Sequence, residues 1–488
     1  MKRIWIVFCL FAFSGCSLAP TYHRPEMDIP SSYKENFKWS RATPENVAFE
    51  HGPWWQMYDD PVLNELEEQV SAANQNIKVA LARYEAARAE LNVARADYYP
   101  TILGIENSYR QQLSGNAANK PKHSLYSDNL LALNLQYEVD VWGRVRNSVA
   151  AASSSAQASA ADLAAISLSL HAELANNYFT LRSDDAAQRV LDATVNAYQK
   201  ALNLTRRRHK GGVVPVADVD QAQNQLDTAK TAAADMHLQR AQLEHAIAIL
   251  IGQLPASFTL PPVRYKTKLV TIATDLPSSL LERRPDIAAA ELRVEAANSN
   301  IGVTRAAFFP AINFSAGLGV ESTIFSNLLS SPSRIWSLGP TAASALLNNG
   351  SLPLITQTIF DGGKIRALND QAYAQYNETV AAYRQTVLSA YQEVENSLVA
   401  IYQLDREHRS QTSATHAANR ALSQALYRYK EGLTTYLDVV VAQNIALQTE
   451  LTNINISARR QVESVQLIRA LGGGWRRENN HVCLHRFH

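Results

Sequence analysis

Few residues in this chain are spaced for covalent or metal chemistry. The clearest is Cys16. It follows Ser14-Gly15, and ahead of those lie Lys2, Arg3 and an apolar run, 4–13. That run is too short to span a bilayer as a helix, and a charged start, apolar centre and small residues are the layout of a secretory signal. Small residues directly before a cysteine are what a bacterial lipoprotein signal peptidase cuts, so the Cys16 thiol is expected to carry lipid. Phe13 departs from that pattern, which favours leucine there. Ser17 is unlike the aspartate that retains lipoproteins in the inner membrane, which points to the outer one. Gly317-Leu318-Gly319 begins a phosphate-loop pattern, but Ser322 replaces the third glycine within an alternating run, so it reads as a small-residue strand face. His481, Cys483, His485 and His488 stand together in the stretch 476–488, which reads as a disordered tail. There is no HExxH, nucleophile elbow or metal-spaced Cys/His cluster. The expectation is therefore no catalytic site, no cofactor and no metal. With Cys9 leaving in the signal, no cysteine pair remains to form a disulfide in the body.

The bulk properties narrow the partners. Charge is balanced, 46 Lys+Arg against 45 Asp+Glu, with no basic stripe, so nucleic acid is not expected. The hydrophobic fraction of 46% is ordinary for a folded protein, so packing must hold the fold.

The elements are set by where glycine and proline are missing. Two runs of equal length, 144–208 and 364–428, contain neither. At about 1.5 Å per residue each reaches on the order of 100 Å as a helix. Such helices must pack sideways, because propensity alone gives marginal stability. Elsewhere the period is two. Leu131, Leu133, Leu135, Tyr137, Val139 and Val141 alternate with small or polar residues, as do Ile312, Phe314, Ala316, Leu318 and Val320. Leu103, Ile105 and Tyr109 mark a further strand with an apolar odd face. A weaker one lies near 352–360.

The chain repeats itself. Thr304-Arg305-Ala306-Ala307-Phe308-Phe309-Pro310 follows Ala94-Arg95-Ala96-Asp97-Tyr98-Tyr99-Pro100 by 210 residues. Gly363, Lys430, Gly432, Asp438, Gln443 and Gly472 follow Gly143, Lys210, Gly212, Asp218, Gln223 and Gly252 by 220. The offset changes once, which places ten extra residues in the second hairpin loop and none in the long helices. The resulting plan is a signal peptide 1–15, a lipidated leader and equatorial segment 16–62, repeat one 63–254, a connector 255–279, repeat two 280–475 and a tail 476–488. Repeat one reads as a helix, strands near 100–112 and 130–142, a long helix 143–208 and a helix 216–252. Repeat two reads as a helix, strands near 310–321 and 352–360, a long helix 363–428 and a helix 436–472.

Four amphipathic strands cannot close a membrane barrel, which needs about eight, so copies of the chain must share one. Spacing does not give the copy number. The whole pattern resembles the TolC-like outer-membrane efflux proteins, specifically their OprM-type lipoprotein branch. The resemblance rests on Cys16 with Pro20, Tyr22 and Pro25; on Trp54-Trp55 with Tyr58, Asp60-Pro61 and Leu63; on 280–287; and on Leu471-Gly472-Gly473-Gly474-Trp475. It implies a mixed α and β membrane protein: a homotrimer forming a 12-stranded β-barrel continued by a 12-helix periplasmic α-barrel. It further implies contact with outer-membrane lipid, a periplasmic adaptor and an RND-type inner-membrane transporter. The expected function is a passive exit duct for small toxic molecules such as drugs. The alternatives are a duct for type I protein secretion or for metal-ion efflux.

In that family the hairpin tips dock the adaptor, and Gly211, Gly212, Gly432, Leu433, Thr434 and Thr435 match the tip motif. The family's gate positions match Leu437, Val441 and Asn444, where only the leucine is kept. Asp438 has two readings: a negative ring at the opening, which would favour cations, or a helix-start acid like Asp218. Arg208 and Arg428 are expected to pair near the tips.

Overall fold

The change of period along the sequence becomes an alternation of elements. The computed structural model describes residues 17–35, 53–114, 116, 125–265, 270, 280–339, 355–356 and 359–475. In chain order these are α1 (Pro61–Ala73), α2 (Gln75–Ala96), β1 (Thr101–Gln112), β2 (Leu125–Glu138), α3 (Arg144–Lys210) and α4 (Val216–Leu250). Then come α5 (Leu280–Arg283), α6 (Pro285–Ala306), β3 (Ala311–Ser322), β4 (Arg334–Gly339), β5 (Ile355–Thr356), α7 (Lys364–Lys430) and α8 (Tyr436–Ala470). Among the described residues no helix is long and apolar enough to cross a membrane.

Both long helices start on a carboxylate. Asp140 accepts from the backbone amides of Val145 (3.0 Å) and Arg146 (2.9 Å), and Asp361 from those of Gly363 (2.9 Å) and Ile365 (2.8 Å). These bonds satisfy donors that a helix start otherwise leaves free. Both helices end on a left-handed glycine. At Gly212 (φ 73°) its amide reaches the His209 carbonyl and the Val213 amide reaches that of Arg208, both at 2.9 Å. Gly432 (φ 75°) closes α7 through Tyr429 and Arg428 in the same way. Such a closure needs the left-handed conformation that glycine adopts without penalty.

The chain falls into two compact units. The first comprises Met1–Glu26, Arg83–Ser159 and Ala289–Tyr383. It holds one antiparallel sheet in the order β1-β2-β3-β4, with β5 also paired to β3. Leu133 faces Leu318, and Leu318 faces Trp336. Along α6 the leader is pinned at every second turn. Arg305 donates to the Leu18 carbonyl (3.1 Å), Asn298 to that of Pro20 (2.8 Å), and Glu291 receives Arg24 (2.5 Å). Seven-residue spacing keeps all three on one helix face.

The second unit comprises Met27–Ala82, Ala160–Ala288 and Arg384–His488. Its core gathers Trp54, Tyr58, Leu63, Phe179, Ile247 and Leu398 among others. The glycine-free stretch after Leu63 is not one helix but breaks at Asn74 (φ −61°, ψ 125°). The Asn74 carbonyl oxygen Oδ1 accepts from the amides of Asn76 (2.9 Å) and Ile77 (3.2 Å), and so caps α2. Its Nδ2 donates to the Leu250 carbonyl at the end of α4, at 2.7 Å. Arg284, 210 residues on, does the same for the second repeat. It donates to the Ala470 carbonyl at the end of α8, at 2.8 Å. In each joint the glycine after the returning helix sits on the broken turn. A Cβ at Gly252 would lie 2.6 Å from the Ala73 carbonyl oxygen, and one at Gly472 would overlap that of Arg283.

Three expectations change. Among the described residues, the strand placed at 352–360 survives only as Ile355–Thr356, and the strand that follows β3 and pairs with it most is Arg334–Gly339. That six-residue strand ends at Gly339-Pro340 and is too short for its alternation to stand out. The two hairpin turns, 113–124 and 323–333, are nearly equal, so the extra residues lie after Gly339 and not in the turn. The odd face of β1 pairs with the polar side of β2: Leu103 faces Asn134 and Ile105 faces Ala132. Both faces of this edge strand stay accessible, with Ile102 63% and Leu103 45% exposed, so burial does not select one.

Candidate functional site

Two features are candidates, one in each unit. The first is the sheet. A water-soluble sheet buries its apolar face, but here the reverse holds. Leu133 is 56%, Leu318 65% and Trp336 75% exposed, whereas Asn134 is 3% and Ser315 4% exposed. The register puts Leu133, Leu318 and Trp336 on one face, and Asn134, Gly317 and Ser337 on the other. The buried face is small because the strands approach closely there. A Cβ at Gly319 would sit 2.6 Å from the Leu131 carbonyl oxygen and 2.7 Å from the Ala132 Cβ. At the foot of the sheet Trp142 stacks on Phe309 (4.7 Å) and donates from Nε1 to the Pro310 carbonyl (2.9 Å). Exposed Tyr98, Tyr99 and Phe308 belong to the same junctions.

The second feature is the pair of helical-hairpin tips. Beneath them Tyr198, Leu202, Leu226, Tyr429, Tyr436 and Val440 form a separate small core. Burial pushes the Tyr436 phenol up to about 12. Gly211, Gly212, Gly432, Leu433 and Thr435 are exposed, and Thr434 is half-buried. On α8, Leu437 (58%), Val441 (50%) and Ile445 (52%) continue from Leu433 (66%) as an outward apolar stripe, with exposed Asn444 beside them. Asp438 is bound into the turn. Its Oδ2 accepts from the Thr434 hydroxyl, the Thr435 hydroxyl (3.0 Å) and the Thr435 amide (3.3 Å). Those bonds, then Arg428, hold the carboxyl below its usual range. Arg208 engages the two residues that follow Arg428. It lies over the Tyr429 ring at 4.6 Å and donates to the Tyr429 and Lys430 carbonyls, both at 3.2 Å, closing the end of α7. Cys16 lies outside the described residues. Its neighbour Ser17 donates to the Asn147 Oδ1 atom (2.9 Å).

Sequence reasoning passed over two ion pairs that share the 220 spacing. Arg240 meets Asp185 at 2.8 Å, and Arg460 meets Asp405 at 2.7 Å. The signal is legible, since an aspartate and an arginine each recur at that offset. Among the described residues, no group of three or more His, Cys, Asp or Glu is placed to hold a metal.

Comparison with known proteins decides the family. The model for "Outer membrane efflux protein" matches residues 66–253 and 276–473. The chain belongs to the outer membrane efflux protein family. This efflux protein is 32% identical over 477 residues to outer membrane protein OprJ of Pseudomonas aeruginosa, covering 97% of this chain and 95% of that one. It is 30% identical to the probable efflux pump outer membrane protein TtgC of Pseudomonas putida, over 95% and 94% of the two chains. The fold superposes on the outer-membrane channel OprN with a TM-score of 0.85 and 28% identity, covering 94% of this chain and all of that one. The MtrE outer membrane channel of Neisseria gonorrhoeae gives 0.81 at 28% identity, over 95% and 100%. This efflux protein is thus an outer-membrane channel of the TolC-like type.

Proposed function

We propose that three copies of this efflux protein close a twelve-stranded barrel in the outer membrane and continue it as a twelve-helix periplasmic tunnel. The observation that carries this reading is the inverted sheet. Large apolar side chains are exposed on one face and small or polar ones are buried on the other, which suits lipid outside and a channel inside. One chain offers too few strands to close, so its edges must be met by other copies. Cys16 anchors each copy through lipid, and the pinned leader supports this by holding residues 17–24 against α6 and Asn147.

The tunnel serves as the passive exit of a tripartite pump. A periplasmic adaptor docks at the tips around Gly211, Gly212, Gly432, Leu433, Thr434 and Thr435. An RND-type inner-membrane transporter supplies the energy. The gate is built from Leu437, Val441 and Asn444, whose exposure on one side of α8 lets copies meet. Asp438 holds the turn that presents them. The cargo is small toxic molecules, in keeping with a relative called the toluene efflux pump outer membrane protein TtgC. Deleting the gene should raise accumulation of dyes and antibiotics while protein secretion continues. Lost secretion with unchanged accumulation would overturn the reading, and a rise confined to copper would reassign the cargo to metal ions.

A further inference from the structure

The two tips, equivalent by repeat, carry unequal charge. Over 206–218, Arg206, Arg207, Arg208 and Lys210 stand against Asp218 alone, a net of +3. Over 426–438, Arg428 and Lys430 balance Glu431 and Asp438. Cations suit the last turn of a helix, but α7 ends with two where α3 ends with four. Arg206 and Arg207 occupy positions held by Leu426 and Tyr427 in the second tip.

The surplus is free to act at a distance. Arg206, Arg207, His209 and Lys210 are exposed. Among the described residues, none of Arg206, Arg207 and Lys210 forms an ion pair. Arg206 donates only to the Gln223 side-chain oxygen, at 2.8 Å. Arg208 is occupied by Tyr429 and the α7 carbonyls. Asp438 stays ionised, but it lies near Arg428 and its charge is balanced within its own tip.

We propose that the α3–α4 tip is an electropositive collar that biases the periplasmic mouth of the duct toward anions. This rests on the trimeric duct proposed above, with the tips at its mouth. Counting the exposed Asp220 two residues beyond, three copies would still bring about six surplus positive charges to one ring. At 0.1 M salt the Debye length is about 10 Å, so their fields overlap across a narrow opening. A mean potential of about one thermal unit raises anions and lowers cations enough to change their ratio about sevenfold.

The test is the reversal potential of the purified full-length protein in planar bilayers under a potassium chloride gradient, 0.1 M against 0.3 M. Wild type should favour chloride severalfold. Arg206→Gln/Arg207→Gln/Lys210→Gln should bring the permeability ratio to about one, and 1 M salt should do the same through screening. Chloride preference that survives the triple substitution overturns the collar while leaving the duct. Potassium preference in wild type, lost in Asp438→Asn, overturns it in favour of an acidic ring. Absence of channel steps from wild type overturns the duct reading and the collar with it.

Discussion

The repeat contains its own controlled experiment on buried charge. Asp185 and Asp405 are equivalent, and each bridges a long helix to the returning one. Their surroundings differ. The Asp185 carboxylate is 1% exposed and lies between Arg182 (3.0 Å, 1% exposed) and Arg240 (2.8 Å, 14% exposed). Those guanidinium groups also hold the connector, through the Pro261 carbonyl at 3.0 Å and the Leu260 carbonyl. The Asp405 carboxylate is 44% exposed and meets Arg409 and Arg460, both at 2.7 Å. Asp185→Asn keeps the shape and an acceptor but leaves buried Arg182 without a counter-charge, and leaves Arg240 with Glu244 alone, at 2.9 Å. Arg182 already has a buried Nε without a partner, so without Asp185 it keeps only the Pro261 carbonyl and the face of the Tyr178 ring, neither of which carries a negative charge. Breaking a buried pair costs about 3–5 kcal/mol. Asp405→Asn breaks a pair that water already screens, worth about 0.2–1 kcal/mol. The assay is guanidinium unfolding of the detergent-solubilised protein, followed by helical circular dichroism. The midpoint shift for Asp185→Asn should be at least about three times that for Asp405→Asn. A double-mutant cycle with Arg240→Gln should show strong coupling, and one between Asp405 and Arg460→Gln little. Equal shifts would refute the argument that the connector's cover makes the first pair matter.

Gly472→Ala should destabilise well beyond Gly432→Ala in thermal unfolding. Both need a left-handed residue, at about 1–2 kcal/mol, but only Gly472 faces a backbone carbonyl, that of Arg283, while Gly432 has open space. The buried pair Glu67–His171 (2.6 Å) gives a pH signature. Burial raises the Glu67 carboxyl above 4.5 and lowers the His171 imidazole from 6.5 to about 4, so the folded pair keeps one proton across this range. The unfolded chain holds two protons below about 4.5, one between 4.5 and 6.5, and none above 6.5. Stability relative to a Glu67→Gln/His171→Phe variant should therefore be flat between those values and fall on either side. A difference that rises on either side contradicts a shared proton.

Much of the fold was legible because its signals are long-range and redundant. Six apolar residues in step, four of them on β2, outweigh any local ambiguity, and a run without glycine or proline leaves a helix few places to stop. What was not legible depends on single side chains meeting distant backbone. Asn74 sits in an unbroken helical period, and only its bond to Leu250 shows why the helix breaks there. β4 is six residues long and gives period-2 reasoning little to work on. The face of β1 is undetermined in sequence because nothing in one chain buries it. At the tips, residue types identified the turn glycines. That Arg208 closes α7, and that Asp438 is spent on two threonines, needed geometry.

The joints explain why the long helices keep equal length while the strand region does not. Each returning helix ends on the broken turn of its own repeat, with Leu250 on Asn74 and Ala470 on Arg284. The tip end of each long helix is fixed by a left-handed glycine, and the following helix leaves from there. The returning helices, Val216–Leu250 and Tyr436–Ala470, are both 35 residues. An insertion in one long helix would therefore lift its tip, or its joint, out of step with the other half. Residues added after Gly339 disturb neither, because they lie between a strand and the Asp361 cap that restarts the helix. Unequal halves can thus vary the sheet connections and the charge on a tip, while the distance from joint to tip stays common to both.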